Sequence, residues 1–274
     1  MRRLTFAIGG SAAALLALTA CGTTGTAGSA ASAPSAPKVE TMADLAHLVS
    51  SRTAAEHAAH ITFTTGTSAG TFTGTGQVQY AGAATKLQVD VNSPIGDVDM
   101  ILLGSTAYMK LPQSLVHTAK PWVRIDADGT DAISKALSAI TSQEQQTADP
   151  SRAITQIGSA GTITSTGKDQ VDGQPATHYV ISVNTAKLMA SSTVSPQMRQ
   201  LLGSTGVKLP AHLSYEVWIN GDNLPVRLDF TETVSTSKSA APQKVTMTMR
   251  YTDWGAPVSI TAPAANQVGP LPSW

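Results

Sequence analysis

Hydrophobic and polar positions change period along this chain, and the changes mark out its elements. Between Glu40 and His57, Met42, Leu45, Leu48 and Val49 recur at helical spacing, with Thr41 as an N-cap ahead of Asp44. That spacing predicts a first helix. From His60 onward the period falls to two. His60–Thr67 and Thr71–Tyr80 form a Thr-rich pair around Ser68-Ala69-Gly70, and Leu87, Val89 and Val91 alternate with Gln88 and Asp90. Val98–Leu103 and Thr106–Leu111 flank Gly104-Ser105, a hairpin signal, and Trp122–Ile125 adds a short strand. Helical spacing returns behind Asp131, with Ile133, Leu137 and Ile140, and again from Pro150 to Ile157 with proline in the first turn.

Strands resume at Gly161–Lys168 and Thr177–Val183, around the turn Val171-Asp172-Gly173. The stretch from Ala186 to Leu202, with Met189, Met198, Leu201 and Leu202, reads as helical after Pro196. Leu213–Ile219, Val226–Val234 and Val245–Tyr251 close the chain, the first two joined at Asn220-Gly221-Asp222-Asn223. About eleven strands in meander order predict an α+β domain. Its sheet is antiparallel and too wide to stay flat, so it is expected to curve strongly around a few helices.

The N-terminus has a different pattern. Arg2 and Arg3 precede an apolar run from Phe6 to Ala17, too short for a membrane span and shaped like a secretory signal. It ends on Leu18-Thr19-Ala20-Cys21, which resembles the lipobox of bacterial lipoproteins, where the cysteine is acylated and becomes the mature N-terminus. Cys21 is the only cysteine of the chain, so no disulfide forms within it. Residues 22–38 are a Gly/Ala/Ser/Thr/Pro tract with no apolar period. The expected organisation is a signal peptide over residues 1–20, a tether over 21–39 and one domain over 40–274. The expected location is the extracytoplasmic face of a cell membrane, anchored through Cys21.

Composition narrows the function. The 274 residues hold 18 Lys+Arg and 18 Asp+Glu, and 13% are charged. This balance gives no basis for nucleic-acid binding, which needs clustered cations to displace counterions.

Three stretches resemble mycobacterial lipoproteins of the LppX/LprG type. They are Gly96-Asp97-Val98-Asp99-Met100-Ile101-Leu102-Leu103-Gly104-Ser105-Thr106-Ala107-Tyr108 with Pro121-Trp122, then Gly167-Lys168-Asp169-Gln170-Val171-Asp172-Gly173-Gln174 leading to Tyr179, and Val217-Trp218-Ile219-Asn220 with Leu224-Pro225. The resemblance implies a half-barrel like that of the periplasmic carriers that shuttle lipoproteins. It also implies an acyl chain or glycolipid held between sheet and helices, and an envelope lipid exporter as a possible partner. A carrier of this kind needs an apolar concave wall and no catalytic group. Candidate wall residues are the apolar halves of the alternating strands: Leu87, Val89, Val91, Val98, Met100, Leu102, Tyr179, Ile181, Val217, Ile219, Met247 and Met249. Leu45, Leu48, Leu137, Met198 and Leu201 would face them from helices. The alternative is a closed core in a surface adaptor that acts by protein contact.

Catalytic and metal motifs fail on context. Gly66-Thr67-Ser68-Ala69-Gly70 has the spacing of a serine nucleophile elbow, but Thr71-Phe72-Thr73 continues as strand where that elbow needs a helix. Ser165-Thr166-Gly167-Lys168 lies in a strand without the accompanying hydrolase motifs. Asp126-Ala127-Asp128-Gly129-Thr130-Asp131 lacks the later glycine and glutamate of a calcium loop. Glu56, His57 and His60 have no third histidine at ligand spacing. The expectation is a monomeric binding protein that is not an enzyme and needs no cofactor or metal.

Overall fold

The computed structural model describes residues 39–81, 84–113, 118–126, 149–191, 194, 199–200, 208–235 and 241–270. The signal, Cys21, nearly all of the tether, and Leu137, Met198 and Leu201 lie outside the described residues, as does the helix expected behind Asp131.

Helix α1 spans Met42–Glu56 and starts on a reciprocal cap. Thr41 Oγ1 accepts from the Asp44 amide at 3.1 Å, while Asp44 Oδ2 accepts from the Thr41 amide at 3.0 Å. Its buried stripe is Met42, Leu45, Val49 and Thr53. Leu48, expected on that stripe, is only half-buried and stands to one side of it. The helix stops at His57, which turns left-handed at φ 62° and feeds directly into the first strand.

Strands β1 (Ala58–Thr67), β2 (Gly70–Gln79), β3 (Lys86–Asn92), β4 (Val98–Leu103), β5 (Thr106–Lys110) and β6 (Trp122–Asp126) follow as a meander. Helix α2 (Pro150–Gly158) precedes a second meander of β7 (Gly161–Val171), β8 (Gln174–Asn184), β9 (His212–Asn220), β10 (Pro225–Val234) and β11 (Gln243–Thr252). The β7–β8 turn takes positive φ at both Asp172 and Gly173, as a tight hairpin requires. Helix α3 (Thr185–Ala190) lies between β8 and β9.

With β12 (Val268–Gly269) at one end, the strands form one open sheet in the order β12-β6-β5-β4-β3-β2-β1-β11-β10-β9-β8-β7. Four expectations change here. The sheet is not a single meander: β11 pairs with β1 and fuses two meanders, with Phe63 opposite Met249 and Ile61 opposite Tyr251. A twelfth strand, β12 (Val268–Gly269), pairs parallel to β6, so the sheet is not wholly antiparallel. In the Ala186–Leu202 stretch residues 199–200 are helical as expected after Pro196, but a further helix precedes Pro196, where Asn184 Oδ1 caps the Lys187 amide at 2.9 Å. Finally, β7 and β8 run several residues beyond their predicted ends.

Alternation buries one face of the sheet. Leu87, Val89, Met100, Leu102, Ile181, Val183, Val217 and Ile219 join Leu45, Val49 and Ile154 in one core cluster. At the α1 end a β-carbon added to Gly161 of β7 would come within 3.4 Å of Met42 Cε, and at the other end Arg52 Nε donates to the Asp222 carbonyl at 2.9 Å. The helix therefore reaches from the start of β7 to the β9–β10 turn, within its length of ~22 Å. No helix among the described residues is long and apolar enough to cross a membrane.

Candidate ligand site

Register sets the site. On the buried face Val217 lies opposite Leu228, and Leu228 opposite Met249. One step along, Tyr215 lies opposite Phe230, and Phe230 opposite Met247. Two rows of apolar side chains therefore cross β9, β10 and β11. Helix α2 lies over them, started by Asp149, whose Oδ1 accepts from the Ser151 amide at 2.9 Å and the Arg152 amide at 3.4 Å. Pro150 fits the first turn because no intrahelical partner awaits its missing N–H.

Between helix and sheet is a hollow of about 270 Å³, lined by Ala153, Ile154, Gln156, Ile157, Tyr215, Val217, Leu228, Phe230, Met247 and Met249. No lining residue is charged. Tyr215 and Phe230 pack as tilted rings 4.9 Å apart, one apolar surface with a single phenol. Burial, with a smaller push from Glu232, raises the Tyr215 hydroxyl to about 12, so it is neutral and able to donate at physiological pH. Two thioethers, from Met247 and Met249, give the wall adaptable shape. An uncharged wall with one phenol can hold and orient an apolar chain, and supplies neither a nucleophile with its base nor an acid–base pair.

A larger cleft, about 750 Å³, opens where α1 meets the β7–β8 and β9–β10 turns. Its lining cation, Arg52, is paired with Glu56 at 3.1 Å, and its Asp172 is paired with Arg250, which stands outside the lining. Volume favours this cleft, but its paired charges make it a poor seat for an apolar chain.

Of the wall residues expected from sequence, Val217, Met247 and Met249 line the hollow. Leu45, Leu87, Val89, Met100, Leu102, Tyr179, Ile181 and Ile219 pack in the closed core, with Val91 and Val98 half-buried against it. The hollow is thus confined to three strands and one helix. Ile154, Ile157, Tyr215, Leu228 and Phe230 were not singled out, although Tyr215 alternates with Val217, Leu228 alternates with Phe230, and the isoleucines are three apart on α2.

The set-aside motifs keep ordinary partners. Ser68 Oγ donates to Gln243 Oε1 at 2.7 Å on the β1–β2 turn, and Lys168 Nζ lies 3.5 Å from Thr177 Oγ1. His60 binds Asp253 at 2.9 Å while Glu56 holds Arg52, and no group of three or more potential metal ligands occurs among the described residues. The Asp126–Asp131 stretch lies outside the described residues beyond Asp126.

Fold and hollow together define a class: an α+β domain with one open sheet and an apolar hollow under a short helix. No protein-family model and no curated protein matches the chain. Among solved structures, it is similar to MucB in complex with MucA(peri), at 12% identity and TM-score 0.34, covering 82% of this chain and 58% of that one. It is also similar to the MucA/MucB complex of Pseudomonas aeruginosa, at 11% identity and TM-score 0.34, covering 82% and 60%. The chain thus spans about three-fifths of the length of these neighbours.

Proposed function

We propose that this chain is a lipid-anchored extracytoplasmic protein of the LppX/LprG type. In this reading it seats part of an acyl chain under α2, in a half-barrel formed by the curved sheet. The observation that carries the reading is the uncharged hollow walled by Tyr215, Val217, Leu228, Phe230, Met247 and Met249. At about 270 Å³ it lies just below the ~300–1,000 Å³ of typical ligand pockets, so it suits one segment of a chain rather than a whole lipid. The lipobox-like Leu18-Thr19-Ala20-Cys21 supports the anchor. A monomer binding without catalysis, and handing its ligand to or from an envelope exporter, completes the proposal.

Native mass spectrometry with lipid extraction tests it, on chain purified from a bacterium with a mycolate-type envelope. The expected result is a co-purifying lipid in the parent that Met247→Trp, which fills the hollow, displaces while the melting temperature holds. A lipid-free mass for the parent, with no uptake of offered fatty acids, overturns the carrier reading. Separately, Cys21→Ala is expected to move the protein from the membrane fraction to the soluble one; unchanged membrane association would overturn the anchor.

A further inference from the structure

The outer face of the sheet, away from the core, carries an ordered stack. In register, Gly167 of β7, His178 of β8, Trp218 of β9 and Arg227 of β10 stand in one row. His178 lies flat on Trp218, with centroids 4.2 Å apart and planes 3° from parallel. From the β10 side the Arg227 guanidinium sits 4.7 Å from the same ring. Trp218 is left only 6% exposed, filled in from both sides. The row ends abruptly at Gly167, where an added β-carbon would meet nothing within 4 Å. The His178 ring is therefore open towards the sheet edge.

That edge is available along most of its length. β7 ends the sheet, residues 164–170 are all exposed, and among the described residues no strand pairs with its outer side. The other end of the sheet differs, because β12 covers β6. Charge near the open slot is negative. Arg227 is matched by Asp229 at 3.0 Å and 2.5 Å, and His178 Nε2 lies 2.8 Å from Glu216. Asp169 accepts from two neutral donors, Trp218 Nε1 and the Gln170 amide, each at 2.8 Å, and the Arg227 charge that also acts on it is bonded to Asp229.

We propose that β7 is a docking edge for an extended segment of a partner protein, which adds as a further strand with an aromatic side chain opposite Gly167 and a basic one opposite Asp169. Main-chain bonds to the unpaired side of β7 hold the segment, as in other strand-addition complexes. The aromatic ring covers the bare glycine and extends the His178–Trp218–Arg227 stack, as aromatic residues do opposite strand glycines. The basic side chain neutralises Asp169.

A second copy of the chain fits less well. Two-fold pairing of β7 on itself keeps side chains of like parity opposite each other. Centred on Gly167 it sets glycine against glycine and leaves both His178 rings bare; centred one residue on, it sets Lys168 against Lys168. This docking edge is separate from the hollow under α2, and Met247→Trp leaves it intact.

The test uses the full chain in detergent and a nine-residue peptide of alternating Thr and Val with a central Trp and an Arg two positions before it. Calorimetric titration and hydrogen exchange are the readouts. Binding is expected to slow exchange at those β7 amides that point away from β8. It is expected to weaken at least tenfold when the peptide Trp becomes Ala, when His178→Ala removes the platform, and when Gly167→Thr fills the slot. Since nothing crowds Gly167, Gly167→Thr is expected to melt like the parent, which separates loss of docking from loss of fold. Absence of binding, equal binding by Gly167→Thr, or no protection in β7 overturns the proposal. So does a concentration-dependent dimer that Gly167→Thr abolishes, which would make a second copy the occupant.

Discussion

Gly74 of β2 lies opposite Phe63 of β1 on one side and Val91 of β3 on the other. A methyl group there would stand 2.3 Å from Phe63 Cε1 and 3.0 Å from the Asp90 carbonyl oxygen, so the aromatic ring needs the bare backbone. Gly74→Ala is expected to cost about 1–3 kcal/mol, the range for overpacking, read from the urea midpoint. Phe63→Leu in the same background should recover part of that loss; full additivity of the two changes would show that they do not meet. Tyr215 gives a second prediction. Its hydroxyl is raised from 10.0 to about 12, so the folded state resists losing that proton. The stabilising contribution is fully present below pH ~10 and is lost as pH rises through the folded value. Stability should therefore fall by about 2 kcal/mol between pH 10 and 12, allowing for partial exposure, and Tyr215→Phe should remove that part of the slope. An identical slope in the variant would mean the other tyrosines raised by burial, Tyr80, Tyr179 and Tyr251, carry it. Much of the site was legible at this scale, since Tyr215, Leu228 and Phe230 all occupy alternating positions in predicted strands. What sequence could not supply was the register that places Tyr215 beside Phe230 and Met247.

Helix α2 covers the hollow, and its first turn is held by one side chain. Asp149 Oδ1 accepts from the Ser151 amide, the Ser151 hydroxyl and the Arg152 amide. Asp149→Ala is expected to cost roughly 1–2 kcal/mol, whereas Asp149→Asn keeps the cap acceptor and should cost well under half of that. If α2 is the lid, Asp149→Ala should also speed hydrogen exchange in α2 and shorten ligand retention, with Asp149→Asn near the parent in both. Retention unchanged in Asp149→Ala would place the entrance elsewhere. The sequence pointed to α2 through Pro150 and to eleven strands through alternation, because each signal is local. It missed β12, where Val268-Gly269 carries no alternation at all, and the short helix α3 ahead of Pro196, whose signal is the Asn184 cap. Element ends also slipped: Gly161–Val171 continues through polar residues because β8 offers backbone partners as far as the Asp172-Gly173 turn.

At the scale of the molecule, two local meanders become one sheet through a single long-range pairing, β1 with β11, and no local pattern announces it. β11 also brings Met249 and Tyr251 into the core, and Trp254 just beyond it stacks near Tyr80 and Tyr251, at 5.8 Å and 5.7 Å between centroids. The pairing that joins the two meanders thus arrives in the last part of the chain, while α1 adds an earlier bridge through Arg52 and the Asp222 carbonyl. Ending the chain before Gln243 would strip β11, leave the edges of β1 and β10 unpaired, and remove the Trp254 indole that donates to the Pro225 carbonyl at 3.0 Å. That truncation is expected to show no cooperative melt. Ending it after Ala264 removes, among the described residues, the short turn Ala265–Gln267, β12 with its two pairings to Trp122 and Val123, and Pro270. The edge it uncovers is short, Trp122–Asp126, with Arg124 and Asp126 exposed on it, the kind of edge that resists further strand addition. This second truncation should keep one cooperative transition, lowered by a few degrees, since ~1 kcal/mol corresponds to roughly 2–4 °C in a domain of this size. Calorimetry of the two truncations side by side checks the argument. A cooperative melt in the first, or none in the second, would mean that the β1–β11 seam is not what makes the two meanders one folding unit.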